Sequence, residues 1–220
     1  MNINKQLELY KNIYKIREVE KKISSLYFEQ EMRCPVHLSI GQEAIPVGIC
    51  SNLKSSDQIL SAHRAHAHYL AKGGNLKAMI SEIYGKVTGC SKGMGGSMHL
   101  IDKTVGFLGS TAVVANTIPV GVGLALSMKI KRLKDISCVF FGDGAIEEGA
   151  FYESINFAII HKLPVLFICE NNFFSVYSPL YKRQSSTRKI TNISRSLGIN
   201  CKKIDGNDVE KIYLDSKKNY

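Results

Sequence analysis

Two short apolar runs, separated by an amphipathic segment, constrain the fold of this chain more than any other feature of its sequence. The runs cover residues 136–141 and 163–169, and each has the length and the Val, Ile and Phe content of a buried strand. Glu147 and Glu148 stand where a helix between them should begin, and acidic side chains stabilise a helix N-terminus. This middle segment carries apolar residues at helical spacing, namely Phe151, Ile155, Ala158 and Ile159. Strand, helix and strand in this order predict a βαβ unit with parallel strands, and therefore an α/β protein.

Polar residues follow each of the two predicted strands. The first strand is followed by Gly142, Asp143 and Gly144, and the second by Glu170, Asn171 and Asn172. Because parallel strands end at the same edge of a sheet, we expect the Asp143 carboxylate and the Asn172 amide oxygen to converge on one point. The glycines let the backbone approach a ligand closely, and the helix N-terminus offers N–H groups to an anion.

These features predict a site for Mg²⁺ and phosphate at the sheet edge. Mg²⁺ is usually held by a few protein oxygens and completed by phosphate oxygens and water. A tight turn without any ligand would explain the Gly-Asp-Gly motif alone. It does not explain the second motif at the end of the next parallel strand, and we therefore favour the metal site.

The length and composition of the chain fit a globular protein without a membrane span. Its 220 residues can bury one sizeable core, so we expect a single domain over residues 1–220. The content of 45% hydrophobic and 22% charged residues is ordinary for a globular protein. No apolar run approaches the ~20 residues that span a bilayer. The charged N-terminus lacks a signal sequence, so a cytoplasmic location is expected, and the scattered cysteines indicate reduced thiols.

The chain is basic, with a formal net charge of +10. Its last forty residues contain ten Lys and Arg against four Asp and Glu. A basic surface can attract nucleic acid, but no nucleic-acid-binding motif accompanies it here. We favour a solvated face or an acidic protein partner, expect neither nucleic acid nor a membrane as partner, and keep a binding module as a minor alternative.

Apolar periodicity predicts several further elements. The N-terminal helix covers residues 5–29, and a second helix runs from residue 42 to about residue 53. The stripe of the N-terminal helix consists of Leu9, Ile13, Ile16, Ile23 and Leu26, and a later helix carries Leu76, Met79, Ile80 and Ile83. Pro119 should lie in the first turn of the next helix. Residues 199–204 are expected to form a strand, and Asp208 should begin a final helix.

Histidines occur at places where they could take part in chemistry. His63, His66 and His68 lie close together, but His-x-x-His-x-His is not a standard helical zinc set and no acidic residue stands close by, so zinc is disfavoured. A lone histidine such as His37 is more often structural than catalytic. His99 follows a glycine-rich segment that, by itself, indicates only a flexible loop.

In combination, the segments HLSIGQEA, GGSMH, GDGA, LPV and ENN resemble the alpha subunits of the thiamine diphosphate-dependent first component of the 2-oxo acid dehydrogenase complexes. This family includes the pyruvate, acetoin and branched-chain enzymes, and the resemblance extends from about residue 7 to residue 213. It implies a doubly wound, mostly parallel sheet with helices on both faces, which is the thiamine diphosphate-binding, transketolase-like fold. It also implies that residues 1–220 form the diphosphate-binding half-domain and lack the C-terminal part of the family domain.

The resemblance implies roles for individual residues. The expected metal ligands are Asp143, Asn172 and the backbone carbonyl of Phe174. The expected cofactor contacts are Arg64, His63, Ala112, Val114, Asp143, Gly144, Ala145 and Asn172, of which Arg64 would grip the terminal phosphate. The expected active-site histidines are His37, His66 and His99. Three positions depart from the family wording: His63 replaces a tyrosine, Met94 a basic residue and Ala112 a glycine.

The resemblance implies oxidative decarboxylation of a 2-oxo acid, with pyruvate or acetoin as the favoured substrate. In the family, thiamine diphosphate attacks the substrate carbonyl, CO₂ leaves, and the acyl group passes to a lipoyl group on the acyltransferase of the complex. The expected partner is a beta subunit in an α2β2 heterotetramer, and because that subunit supplies the activating glutamate, this chain alone should be inactive. Two alternatives stay open: a non-catalytic truncated relic or scaffold that keeps the Mg²⁺–diphosphate half-site, and the N-terminal half of a split transketolase.

Overall fold

The computed structural model describes residues 1–218 as an α/β protein. Its helices are α1 (Ile3–Leu26), α2 (Ala44–Cys50), α3 (His66–Ala71), α4 (Leu76–Ile83), α5 (Thr117–Ile130), α6 (Gly149–Ile160), α7 (Leu180–Arg183), α8 (Ile190–Ser196) and α9 (Val209–Lys218). Its strands are β1 (Gln58–Ser61), β2 (Phe107–Ser110), β3 (Ser137–Gly142), β4 (Val165–Glu170), β5 (Phe174–Ser175) and β6 (Ser178–Pro179). The predicted class, a parallel sheet flanked by helices, is confirmed.

The chain divides into two compact units. Unit 1 comprises Met1–Ser56, His63–Ala112 and Ile204–Tyr220, and unit 2 comprises Asp57–Ala62 and Val113–Lys203. The expectation of a single domain over residues 1–220 stays a prediction, and its last two residues lie outside the described range. None of the helices in the described part of the chain combines the length and the apolar character that a membrane crossing needs.

The long helix α1 begins unit 1 and confirms the predicted N-terminal helix. Asn2 caps it, because the side-chain oxygen accepts a hydrogen bond from the backbone N–H three residues later at 2.9 Å. A turn of 3-10 helix, Tyr27–Glu29, extends it to the predicted end. Ile13 and Leu26 of the predicted stripe are half-buried. The fully buried residues of the helix are Leu9, Ile16, Glu20 and Ile23, so the apolar pattern missed one buried carboxylate.

Helices α2 and α9 pack against each other within unit 1. Helix α2 is shorter than the predicted range of residues 42–53. Gly48 permits the contact, since a Cβ atom there would lie 2.6 Å from Cγ2 of Ile212 on α9. The predicted final helix is confirmed, because Oδ1 of Asp208 accepts a hydrogen bond from the N–H of Lys211 at 2.9 Å at the start of α9.

Strand β3 lies at the centre of the parallel pairing in unit 2. It pairs with β1 on one side and with β4 on the other, and both pairs are parallel. Its residues 137–141 are all buried, which agrees with the continuous apolar sequence of residues 138–141. The two strands predicted around helix α6 are thus confirmed. Strand β1 escaped the sequence analysis because only Ile59 and Leu60 of its four residues are apolar.

Helix α5 packs directly on β3 at a glycine. A Cβ atom on Gly121 would lie 2.1 Å from Cγ2 of Val139, so this close approach requires a residue without a side chain. Pro119 lies in the first turn of α5, as predicted, where the missing N–H costs no intrahelical hydrogen bond.

The strand predicted over residues 199–204 is wrong. The structure assigns no strand to this described segment, and the N–H of Ile199 donates to the carbonyl of Ser194 at the end of helix α8, at 3.2 Å. Gly198 has a φ of +91° and ends α8 in a left-handed conformation. A helix cap therefore uses the N–H group that a sheet ladder would have needed.

We expect Gly121→Ala to destabilise the protein, although alanine favours helix formation. The added methyl group would displace Val139 or separate α5 from β3, and such overpacking typically costs about 1–3 kcal/mol. Urea denaturation followed by circular dichroism measures the change in the free energy of unfolding.

Gly123→Ala is the matched control, on the exposed side of the same helix. A Cβ atom there meets nothing within 4 Å. The higher helix propensity of alanine should therefore raise the free energy of unfolding by about 1 kcal/mol. Equal effects of the two substitutions would contradict the close packing of α5 on β3.

Candidate functional site

The two polar motifs lie at the ends of neighbouring parallel strands in unit 2. Gly142, the last residue of β3, is in register with Glu170, the last residue of β4. Asp143 and Asn171 therefore leave the same edge of the sheet from adjacent strands. The predicted juxtaposition of the two motifs is thus confirmed for the backbone.

Asp143 carries a buried carboxylate with one unsatisfied oxygen. The residue is 1% exposed and opens the 3-10 turn Asp143–Glu147. Its Oδ2 accepts a hydrogen bond from Nη2 of Arg183. Its buried Oδ1 has no hydrogen-bond partner among the described residues. A buried polar atom without a partner costs free energy, and a bound cation would remove this cost.

The two asparagines of the second motif shape the turn that follows β4. Oδ1 of Asn171 accepts a hydrogen bond from the N–H of Phe173 at 3.2 Å, and Oδ1 of Asn172 accepts one from the N–H of Phe174 at 3.0 Å. An amide oxygen has two lone pairs, so each of these atoms can also ligate a cation. Phe173 has a φ of +66°, which is uncommon for a residue other than glycine. The chain then enters the antiparallel hairpin of β5 and β6.

Small residues form the first motif. A Cβ atom on Gly144 would lie 3.0 Å from Oγ of Ser175 and 3.7 Å from Nη1 of Arg183, so the hairpin region approaches this backbone closely. The next residue, Ala145, is buried. Residues 142–145, at the start of the turn after β3, therefore carry little side-chain bulk apart from Asp143.

The predicted metal ligands are all oxygen donors. They comprise the Asp143 carboxylate, the Asn172 amide oxygen and the Phe174 main-chain carbonyl. Within residues 1–218, no group of three or more His, Cys, Asp or Glu side chains is placed to hold a metal ion. A set with one carboxylate, which leaves positions for phosphate and water, matches the preference of Mg²⁺. The residues present therefore fit the expected ion.

Arg64 and two histidines form a second candidate cluster, in unit 1. Nη1 of Arg64 donates a hydrogen bond to the carbonyl of Leu38. The rings of His37 and His63 meet edge to face, with their centroids 4.7 Å apart. Burial, followed by the charges of His37 and Arg64, lowers the pKa of His63 to about 4. Burial, followed by the charge of Arg64, also lowers the pKa of His37, so both imidazoles are neutral at pH 7.

His66 is buried in unit 1, and both of its ring nitrogens have partners. Nδ1 lies 3.3 Å from Oε2 of Glu20, and Nε2 lies 2.8 Å from Oγ of Ser97. Glu20 also accepts a hydrogen bond from the N–H of Ser39 at 3.2 Å. These bonds connect helix α1 with the glycine-rich loop and give His66 a structural role. Its catalytic role stays a prediction.

Glu82 organises the glycine-rich loop and was missed by the sequence analysis. Its buried carboxylate accepts four backbone hydrogen bonds of 2.7, 2.9, 2.7 and 3.1 Å, from Ser91, Gly93, Gly95 and Gly96. Four N–H donors offset the cost of burying the charge. The sequence did contain a signal for this role, because Glu82 is an acidic residue on the apolar side of helix α4, next to Ile83.

The remaining predicted residues are exposed. The carbonyl of His99 accepts a hydrogen bond from Oγ of Ser91 at 2.6 Å, while the residue itself is exposed. Ala112 and Val114 are also exposed, and Met94 is 85% exposed in the glycine-rich loop. The cofactor and catalytic roles of these residues stay predictions.

The fold resembles that of a solved structure from Mycobacterium smegmatis, described as a thiamin diphosphate-dependent enzyme. The two structures match with a TM-score of 0.52 at 14% sequence identity, over 80% of this chain and 28% of the other. The fold is thus of the thiamine diphosphate-binding class. The family model of the dehydrogenase E1 component matches residues 11–219. The chain belongs to the dehydrogenase E1 component family.

Curated relatives match almost the whole of this chain. The alpha subunit of acetoin:2,6-dichlorophenolindophenol oxidoreductase from Bacillus subtilis is 38% identical over 95% of this chain and 62% of the relative. The chloroplastic pyruvate dehydrogenase E1 component subunit alpha-3 of Arabidopsis thaliana is 39% identical over 94% of this chain and 49% of the relative. The pyruvate dehydrogenase E1 component subunit alpha of Rickettsia felis is 36% identical over 96% of this chain and 64% of the relative. The chain therefore spans about half to two thirds of the length of these relatives.

We expect the protonation of His63 to destabilise the protein at acidic pH. Its pKa of about 4 in the folded protein lies below the 6.5 of an unperturbed histidine, so the unfolded state binds more protons between these values. The His63 contribution to the free energy of unfolding should be complete above pH 6.5 and should be lost as the pH falls towards 4. Urea denaturation across this pH range measures the effect, and NMR titration of the imidazole measures the pKa.

His63→Asn should reduce this pH dependence, because asparagine does not titrate. His161→Asn, which removes an exposed histidine, is the control and should leave the dependence unchanged. A pH dependence that is identical in wild type and His63→Asn would contradict the expected role of burial.

We expect Glu82→Gln to loosen the glycine-rich loop. A glutamine amide replaces one acceptor oxygen with an NH₂ group, so two of the four buried N–H groups lose their partner, at about 1–3 kcal/mol each. Hydrogen exchange of the loop amides should accelerate, and urea denaturation should show a lower free energy of unfolding. Glu8→Gln, which removes only an exposed pair with Lys5, should change stability by less than about 1 kcal/mol.

Proposed function

We propose that this chain is the alpha subunit of a thiamine diphosphate- and Mg²⁺-dependent dehydrogenase that acts on pyruvate or acetoin. One observation carries the proposal. Asp143, whose buried carboxylate has one unsatisfied oxygen, follows strand β3, and Asn172 follows the neighbouring strand β4. The Bacillus subtilis relative is named for acetoin, and the Rickettsia felis relative for pyruvate. These names support this class of substrates.

The magnesium ion would be held by Asp143, Asn172 and the main-chain carbonyl of Phe174. All three supply an oxygen ligand. Oδ1 of Asp143 has no hydrogen-bond partner within residues 1–218, so this oxygen is open to the ion. Gly144 and Ala145 would contact the diphosphate, because small residues let the backbone approach a ligand. This assignment accounts for the small residues on both sides of Asp143 at the start of the turn.

Further cofactor-binding roles are proposed on the resemblance to the family. Arg64 would bind a phosphate oxygen pair, since its planar guanidinium has five N–H donors and its bond to Leu38 uses one of them. His63, Ala112 and Val114 are the other candidates for cofactor contact.

The proposed contribution of this chain to catalysis is binding, orientation and proton handling. When bound, thiamine diphosphate supplies the carbanion chemistry that cleaves the bond next to the substrate carbonyl. The imidazole of His37 is neutral at pH 7 because burial lowers its pKa, so it can accept a proton. His66 and His99 are the other histidines to which the proposal gives an active-site role.

The proposed partners are a beta subunit and a lipoyl-bearing acyltransferase. The beta subunit would supply the carboxylate that activates the cofactor, in an α2β2 assembly. The relatives from Arabidopsis thaliana and Rickettsia felis are named as alpha subunits of an E1 component, which supports a second type of subunit. Oxidative cleavage of the substrate, with CO₂ leaving from pyruvate or acetaldehyde from acetoin, and transfer of the acyl group to a lipoyl group would then require the complete assembly.

Calorimetric titration of thiamine diphosphate in the presence of Mg²⁺ tests this proposal. The chain is titrated alone and together with a co-encoded beta-type subunit. We expect binding that requires Mg²⁺ and that falls at least about tenfold in Asp143→Asn, because the amide carries no charge to attract the cation. A folded protein that does not bind the cofactor in either format contradicts the proposal.

The two neighbouring asparagines provide a matched control. Asn171→Ala and Asn172→Ala each remove one side-chain bond to a backbone N–H two residues later. The two variants therefore lose similar turn stability, but only Asn172→Ala removes a proposed metal ligand. Mg²⁺-dependent binding should weaken in Asn172→Ala and persist in Asn171→Ala, and the reverse order would argue against the ligand assignment.

A further inference from the structure

One arginine, Arg183, holds the carboxylate that is proposed as a metal ligand. Nη2 of Arg183 donates to Oδ2 of Asp143, and Nη1 donates to Oε1 of Glu147. Nε donates to the carbonyl of Ser178 at 3.2 Å. All three guanidinium nitrogens therefore have a partner within unit 2. The Arg183 side chain is only 12% exposed, so this is a largely buried ion pair.

Neighbouring groups hold this arginine in place. Nε2 of Gln184, a buried residue, donates to the same oxygen of Glu147 at 2.7 Å. Arg183 is the last residue of α7, the short helix that follows the hairpin of β5 and β6. Strand β5 in turn packs against the Asp143–Glu147 turn. The ion pair thus ties the α7 segment to the turn that contains the proposed ligand.

A divalent cation and the guanidinium compete for the same carboxylate. The guanidinium is always charged, and it already donates charge-assisted hydrogen bonds to both Asp143 and Glu147. A cation on Oδ1 would place two more positive charges within a few ångströms of Arg183. Both side chains are largely buried, so water and salt screen this repulsion poorly. The two cations therefore disfavour each other at this carboxylate.

We propose that Arg183 is a built-in counter-ion of Asp143 that a divalent cation must displace, so that metal binding and release of the α7 segment form one coupled equilibrium. The inference rests on the proposed function, because it takes Asp143 as a metal ligand. The unsatisfied Oδ1 is an independent pointer to a cation, since the pair with Arg183 leaves that atom without a partner in the described part of the chain.

The pair of Asp143 and Arg183 keeps the charge of the buried carboxylate compensated. A carboxylate that is buried without a compensating charge is strongly destabilising. Arg183 supplies the positive charge while no metal is bound, and the cation supplies it afterwards. The short α7 helix is well suited to move, because it has only four residues and its attachment to the turn runs through the Arg183 and Gln184 side chains.

Binding of Mn²⁺ alone to the purified chain tests the inference, with the electron paramagnetic resonance signal of the free ion as readout. Arg183→Gln removes the competing charge and should tighten Mn²⁺ binding at least about fivefold relative to wild type. Arg188→Gln is the matched control. It removes the same charge five residues further along, where the Arg188 Nη2 donates to the carbonyl of Ile146 at 3.2 Å and to the hydroxyl of Tyr152 at 2.6 Å.

A gain in Mn²⁺ affinity that is confined to Arg183→Gln supports the inference. Equal affinity in wild type and Arg183→Gln, weaker binding in Arg183→Gln, or an equal gain in both variants overturns it while leaving the metal site intact. Failure of wild type and both variants to bind Mn²⁺ overturns the metal site itself, and the inference with it.

A second measurement uses the wild-type chain and does not depend on the folding of a variant. Phenylglyoxal modifies accessible guanidinium groups, and mass spectrometry reports the rate for each arginine. Because the proposed equilibrium releases the Arg183 side chain when the ion binds, saturating Mn²⁺ should accelerate the labelling of Arg183. The rate at Arg188 should stay constant. An unchanged or slower rate at Arg183 under saturating Mn²⁺ overturns the inference.

Discussion

The parallel pairing of β3 with β4 is the interaction on which the rest of unit 2 depends. Its register puts Gly142 beside Glu170, so the residues that follow each strand leave one edge of the sheet together. The apolar sequence of β3 explains its burial, and Gly121 lets helix α5 pack on it at a distance that no side chain would allow. The sheet edge that carries the polar motifs is thus supported by closely packed elements, which suits a site that must hold oxygen ligands in fixed positions.

Three of the buried carboxylates, those of Glu20, Glu82 and Asp143, differ in how their oxygens are bonded. Glu82 accepts four backbone N–H groups, and Glu20 contacts His66 and the N–H of Ser39. These two acids hold loops within unit 1. Asp143 is bonded on one oxygen only, and the other oxygen is buried without a partner in the described residues. Because proteins usually satisfy buried polar atoms, an open carboxylate oxygen at the sheet edge that also carries the second polar motif indicates a ligand position.

Charge balance connects the proposed metal site with the loop after it. The strongly basic character of the last forty residues would, on its own, indicate only a solvated surface or an acidic partner. The structure gives one of these basic residues, Arg183, a specific place between the carboxylates of Asp143 and Glu147. A single side chain can therefore link the arrival of a metal ion to the position of a short helix.

The sequence by itself determined the βαβ unit, the N-terminal helix and the spacing of the two polar motifs, because these depend on local periodicity and on which residues end a strand. It also supported membership of the family, since several short motifs occur in the right order. Only the tertiary structure decided that Ile199 caps helix α8 and that residues 199–204 form no strand, and that β1 exists. It also revealed the partners of Glu82, His66 and Arg183. Those features depend on which polar groups from distant parts of the chain are buried together, and hydrogen bonds between distant groups leave no periodic trace in the sequence.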